Sequence, residues 1–417
     1  MEHKHTITIL PDSAAIGCHA AKKVIAVVEE NPDAVIIVPT GSTPLPMYSA
    51  LVDYYCKDPS FDMSHVSIFN LDEYIGLDEG HPLSYAFYMD HILYKKLDAI
   101  DSGRAPKPHN RHIPSVDEGE TPDDAAQRYD DALSAAIETT RRGSADLVVL
   151  GVGGAYPILD ENDAFSGAIH GGHIGFNEPG SSADDSTRVV TLTMKTKKDT
   201  GFRFRYMSFR GDSGHFSSSV PSQAITLGIK NILRSKEVIL LANGEEKAAV
   251  LEASYGKTPT PDFPVSFLNL HDNVSWIIDD DAAHLLPIHR TPWRFDDDFV
   301  WSPEMLIRAA LIAIENEEGL TVGTLNAVGV DDDVIATFGG IEAVQNMMST
   351  FLAPAIGTIT DAIAENDIVV ITSPHPDDDV ITMAATVEML KKRGNDVWII
   401  YLTSGESAIR NDMPSTQ

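Results

Sequence analysis

At 417 residues the chain exceeds what one compact core usually spans, so two or three folded units are expected. Its formal net charge of -31 argues against non-specific binding to nucleic acid or to an anionic membrane, because both repel anions. Cys18 and Cys56 are the only cysteines and provide no disulfide framework. No signal-like apolar core or run of ~18–20 apolar residues occurs, so a cytoplasmic protein is expected.

Residues 6–10 read as a short strand, with Asp12 and Ser13 able to cap the helix after it. Residues 34–38 form a second, wholly apolar strand. Strand-like runs follow at 66–69, 147–150, 189–193, 237–241 and 274–278, mostly separated by segments of helical spacing. This alternation, with unbroken Val/Ile/Leu strands, predicts an α/β fold: a mainly parallel sheet with helices on both faces, over residues 1–285. From about Leu286, prolines punctuate the chain. Ser302-Pro303-Glu304 starts a helix to about Glu317, and 286–366 reads as a linker carrying that helix. Residues 368–372, 382–393 and 397–402 then spell strand, helix and strand, the beginning of a second α/β domain over 367–417. Asp runs at 279–281, 296–298 and 331–333 read as solvated loop edges. Calcium ligation is the alternative, but no EF-hand loop is present.

Ligands of such sheets bind beyond the carboxyl ends of the strands, so the polar residues directly after each strand are the candidates. After 34–38 come Thr40, Gly41, Ser42 and Thr43, then Pro44 and a helix. That is either an anion site at a helix start or a capped turn. After 66–69 come Asp72 and Glu73. One can face a cleft and move a carbon-bound proton while the other makes a supporting hydrogen bond; a helix-capping acid fits equally well. After 147–150 come Gly151-Val152-Gly153-Gly154 and, later, Gly172-His173-Ile174-Gly175-Phe176-Asn177-Glu178-Pro179. A His and a Glu five apart can carry protons and fix a tautomer, or stand as structural residues of a glycine loop. After 237–241, Lys247 lies near a helix start, as an anion ligand or as a surface lysine.

Taken in order, these motifs resemble the glucosamine-6-phosphate deaminase/isomerase family over residues 6–283. The most specific matches are Phe69-Asn70-Leu71-Asp72-Glu73-Tyr74 and Gly172 to Pro179. His81-Pro82, Ser84-Tyr85 and Ala224 to Gly228 support them. The resemblance implies a hydrolase of amino-sugar metabolism, within N-acetylglucosamine catabolism, that converts glucosamine 6-phosphate to fructose 6-phosphate and ammonia. Asp72 would shuttle the proton, His173 would open the sugar ring, and Glu178 would orient it. Thr40, Gly41, Ser42, Thr43, Lys247 and Arg203 would hold the phosphate. It implies a small-molecule substrate, no nucleic-acid or membrane partner and no cofactor for this domain, and it leaves a homo-oligomer open. A 6-phosphogluconolactonase or pentose-phosphate isomerase on the same fold, and a non-catalytic sugar-phosphate sensor, are the alternatives. Where the family has a two-residue link that usually ends in Asp, this chain has the 18 residues from Gly154 to Gly171. Asp160, Glu161 or Asp163 inside that insert are the candidate replacements; an error in the gene model and a disabling change are the alternatives.

Ser373-Pro374-His375-Pro376-Asp377-Asp378-Asp379, with Thr403-Ser404-Gly405-Glu406, resembles the LmbE-like N-acetylglucosaminyl deacetylases. That resemblance covers about 367–411 and implies His375 and Asp378 as zinc ligands, with Asp377 as base. Zinc is expected only in a complete C-terminal domain, since the third ligand histidine would lie beyond Gln417.

Overall fold

The computed structural model describes residues 4–159, 165–193, 196–197, 220–296, 298–316, 319–361, 368–373 and 396–401. The chain divides into two units, Met1–Arg290 and Thr291–Gln417.

The first unit is built on β1 (Lys4–Leu10), α1 (Ser13–Glu30), β2 (Val35–Val38), α2 (Leu45–Lys57), β3 (Ser67–Asn70), β4 (Asp72–Tyr74), α3 (Tyr85–Met89), α4 (Lys95–Asp101), β5 (Arg111–His112), α5 (Pro122–Thr140) and β6 (Leu147–Gly151). It continues with β7 (Ala155–Leu159), β8 (Phe165–Gly171), β9 (Arg188–Thr191), β10 (Gln223–Thr226), α6 (Ile229–Leu233), β11 (Val238–Ala242), α7 (Ala248–Ser254) and β12 (Asn273–Asp279). Seven strands pair in the order β1-β12-β11-β6-β2-β3-β5, all parallel. Side chains alternate across a strand, so each apolar strand feeds two cores. Val35 and Ile37, Val148 and Leu150, and Val238 and Leu240 enter one core. Ile36 and Val38, Leu147 and Val149, and Ile239 and Leu241 enter the other. Burial on both faces is why these strands are unbroken runs of Val, Ile and Leu. Helix α1 shows the matching logic: Asp12 accepts the Ala15 amide at 2.8 Å, and Ile16, Ala20, Ala21, Val24 and Val28 form its buried stripe.

The run expected as a strand at 189–193 is not in this sheet. As β9 it joins β4 and β10 in a separate three-stranded antiparallel sheet, with β10 between the other two. The insert is an antiparallel hairpin of β7 and β8, with Ala155 opposite Gly171 and Tyr156 opposite His170. Its candidate carboxylates, Asp160, Glu161 and Asp163, lie outside the described residues. Nor is Asp279 a solvated edge. It is buried, accepts the Gly244 amide at 3.0 Å and caps the following turn through Ala282 at 2.9 Å.

In the second unit, the stretch expected as a linker with one helix folds instead as four helices, Pro303–Asn316, Val322–Ala327, Asp332–Thr337 and Ile341–Asp361. They bury Leu306, Ala309, Ala310, Leu325, Val330, Ile335 and Val344 in a core of their own. Trp293 packs on that core, and its indole N–H donates to the Val328 carbonyl at 2.8 Å. Two of these helices are six residues long, too short for a 3.6-residue period to be read from the sequence. Ile368–Ser373 and Asp396–Tyr401 pair in parallel, in line with the strand–helix–strand expectation; residues 374–395 between them lie outside the described residues.

Among the described residues, no helix is long and apolar enough to cross a membrane.

Candidate active site

Four adjacent strands, β11, β6, β2 and β3, deliver their carboxyl-end loops to one cavity of about 370 Å³. β2 supplies Pro39 to Thr43, β3 leads to Leu71 and Asp72, β6 supplies Gly151 to Gly154, and β11 leads to Lys247. His173, Gly175, Phe176 and Tyr85 complete the wall. Two larger hollows, about 450 and 600 Å³, are lined from elsewhere and contain neither Asp72 nor His173.

The Thr40–Thr43 turn is fixed from below. The Tyr48 hydroxyl donates to the Pro39 carbonyl at 2.6 Å, and the Tyr88 hydroxyl donates to the Gly41 carbonyl at 2.7 Å. The turn runs into the N-terminus of α2, where amide N–H groups and the helix dipole favour an anion. Lys247 ends a short 3-10 turn directly before α7. Its side chain is mostly buried, and its ammonium lies 3.7 Å from the exposed Glu246 carboxylate. Asp279 holds the start of that turn through Gly244.

Asp72 and Glu73 divide as period-2 geometry requires. Asp72 lines the cavity, whereas Glu73 lines the 450 Å³ hollow on the other side of β4. Asp72 is buried, and desolvation, followed by the neighbouring charge of Glu73, raises its pKa to about 8; the nearby Phe176 amide, whose hydrogen bond goes to the Thr226 hydroxyl at 3.2 Å, opposes this. Burial likewise raises Glu73 to about 7, against the amides of Tyr85, Ala86 and Tyr74.

The His173 loop is held at close range. The Gly153 amide donates to the His173 carbonyl at 2.9 Å, and the imidazole lies against Gly153 so tightly that a Cβ there would sit 2.1 Å from Nδ1. Asn177, fully buried, donates to the carbonyls of Ile174 and Leu227 at 2.9 and 2.8 Å and accepts from Arg188 at 2.8 Å. Asn177 and Arg188 thus form the frame of the loop. Glu178 is not in the cavity wall; its carboxylate accepts a hydrogen bond from the Thr196 hydroxyl.

One cavity therefore collects Thr40, Gly41, Ser42, Thr43, Asp72, His173 and Lys247, but not Glu178. Arg203 lies outside the described residues, as do His375, Asp377 and Asp378. Of the additional wall residues, Tyr85 was foreshadowed by Ser84-Tyr85, because Ser84 caps α3 and so fixes where Tyr85 starts. Leu71 and Phe176 carried no polar signal of their own.

The hairpin leaves the wall at Gly154 and returns at Gly171. Gly171 has φ +149°, and a Cβ there would lie 2.3 Å from the Gly154 carbonyl oxygen. An acid at position 171 therefore does not fit the intact chain. Gly171→Asp is expected to destabilise it by about 1–3 kcal/mol through backbone strain. Excising residues 155–170, whose ends already meet, should leave the first unit folded. Thermal melts of both variants check this, and a large loss of stability on excision would show that the hairpin holds the loop together.

A family profile described as Glucosamine-6-phosphate isomerases/6-phosphogluconolactonase matches residues 12–155, and a second, GlcNAc-PI de-N-acetylase, matches 370–417. The glucosamine-6-phosphate deaminase of Thermoanaerobacter sp. (strain X514) is 35% identical over 270 residues, covering 64% of this chain and 90% of that protein. That of Cellvibrio japonicus is 36% identical over 280 residues, covering 67% and 91%. A solved monomeric glucosamine-6-phosphate deaminase of the NagB superfamily superposes with a TM-score of 0.53 at 31% identity, covering 67% of this chain and 99% of its own. With these relatives more than 30% identical and nine-tenths of their length covered, the chain belongs to the glucosamine-6-phosphate deaminase family.

Proposed function

We propose that the first unit is a glucosamine-6-phosphate deaminase. The observation that carries this reading is a buried carboxylate, Asp72, and an imidazole, His173, in one cavity with a lysine and a helix-start loop. The loop from Thr40 to Thr43 and Lys247 bind the phosphate and leave the sugar ring to His173 and Asp72. His173 takes the proton from the C1 hydroxyl and returns one to the ring oxygen, which opens the ring to the aldehyde. Only then is the C2 proton acidic. Asp72 removes it and delivers a proton to C1; the enolamine becomes an imine at C2, which water converts to the ketone with loss of ammonia. A carboxylate raised to about 8 suits this step, because a general base works best with a pKa near the operating pH. No step needs a metal or redox cofactor.

The test is a substrate panel. Glucosamine 6-phosphate should be turned over, while N-acetylglucosamine 6-phosphate and 6-phosphogluconolactone should not. Lactone hydrolysis alone would favour the lactonase reading, and binding without turnover would favour a sensor.

Lys247→Ala separates binding from chemistry. A charged hydrogen bond contributes about 1.5–3 kcal/mol, so KM should rise about 10–100-fold while kcat stays near wild type. A collapse of kcat at constant KM would remove Lys247 from the phosphate site.

A further inference from the structure

Glu73 faces away from the cavity, yet both its oxygens are engaged with backbone that shapes it. Oε1 accepts the Tyr74 amide and Oε2 the Ala86 amide, each at 2.8 Å. Ala86 is the second residue of α3, and Ser84 caps the same helix by accepting the Phe87 amide at 3.0 Å. Two acceptors thus hold one short helix start, and that start carries Tyr85 into the cavity wall. The Tyr85 ring lies near-parallel to Phe176, with centroids 6.0 Å apart, and its hydroxyl donates to Tyr74 at 3.3 Å. The Phe176 amide donates to the Thr226 hydroxyl at 3.2 Å, and Phe176 and Tyr85 share the cavity wall with Asp72.

We propose that Glu73 is a positioning residue, which from behind β4 holds Tyr85 and Phe176 against Asp72 and places a second negative charge beside it. The functional half of this proposal rests on the deaminase reading; the clamp itself does not.

That charge is met by backbone amides and not by a cation lining the hollow. Asp72 is the neighbour of Glu73 along the strand, Ile225 lies opposite it across the strand pair, and Asp78, Glu79 and Asp117 line the hollow, Asp117 being 3.5 Å from Arg128. No Lys, Arg or His among the described residues lines that hollow. Burial raises both groups, Glu73 to about 7 and Asp72 to about 8, and the charge of Glu73 adds to the elevation of Asp72. Removing the Glu73 charge must lower the pH at which Asp72 ionises, because a neighbouring like charge is one cause of its elevation.

Glu73→Gln therefore has two expected signatures. Gln accepts one of the two amides and opposes the other with its own N–H groups, so hydrogen exchange over residues 84–90 should quicken at least about 10-fold. In ammonia release, kcat should fall roughly 10-fold with KM within about threefold, and the acid limb of kcat/KM should move down by about half to one pH unit. The titrations of the substrate's own amine and phosphate are the same for both enzymes, so they cannot produce that displacement. Ser84→Ala loosens the same helix without touching the charge, and should quicken exchange while leaving the limb in place. Glu73→Asp keeps the charge and should also leave the limb in place; it replaces Glu73→Gln as the exchange probe should the latter fail to fold. Unchanged exchange over 84–90 in Glu73→Gln, or in Glu73→Asp where that is the probe, overturns the clamp. An unmoved limb in Glu73→Gln, or a moved limb in Ser84→Ala or Glu73→Asp, overturns the electrostatic half. A wild-type enzyme that releases no ammonia sinks the deaminase reading and the functional half with it, while the exchange result still decides the clamp.

Discussion

Asp72→Asn is expected to lower turnover by about 10²–10⁴-fold while KM stays within a small factor of wild type. That is the usual contribution of a positioned general base, and the amide keeps the shape of the side chain without its basicity. The elevated pKa adds a sign. The base must be ionised, so kcat/KM should rise with pH through about 8. The folded-state pKa lies above the unfolded value of about 3.8, so the group favours the native state most below about 3.8, and that contribution is lost as pH rises through about 8. Above pH 8 the wild type holds a buried carboxylate charge that the Asn variant lacks. The inactive variant should therefore melt at a higher temperature than wild type at pH 9, and the difference should shrink as pH falls towards about 4. Near-normal ammonia release by Asp72→Asn would remove it from the mechanism, and equal melting temperatures at pH 9 would contradict the burial argument.

Gly153→Ala should be nearly as damaging without replacing any group that moves a proton. A Cβ at this position would lie 2.1 Å from Nδ1 and 2.2 Å from Cε1 of His173, far inside van der Waals contact, so the imidazole must leave its place. Losing an acid–base group costs about 10²–10⁴-fold, and kcat should fall within that range. His173→Ala should fall by a similar factor, and the double variant should be no worse than either single one, because residues acting as a unit are not additive. Multiplicative losses would mean that Gly153 acts on something other than the histidine.

The parts of the fold legible in sequence are those where local chemistry and tertiary role coincide. Strands β2, β6 and β11 are apolar on both faces because both faces are buried, and their following loops carried the polar residues that the sheet brings together. The Asp72/Glu73 split followed from strand alternation. Strand β9 was recognised as a strand but misplaced, because residues 188–191 pair with Gln223–Thr226, a partner that no local pattern specifies. The two six-residue helices after Pro303, Val322–Ala327 and Asp332–Thr337, were hidden by their shortness. Asp279 looked like part of a solvated run, and only its pairing with Gly244 and Ala282 gives it a buried role. Glu178 matched the family motif, but its described partner, Thr196, stands 18 residues away and was invisible in the pattern.

The most direct measurement is ammonia and fructose 6-phosphate release from glucosamine 6-phosphate by the purified chain, with EDTA present. The geometry of Asp72, His173 and Lys247 predicts the two products in equal amounts, at a rate the chelator does not change. Tight binding of the sugar phosphate with neither product formed, or turnover abolished by the chelator, would contradict it.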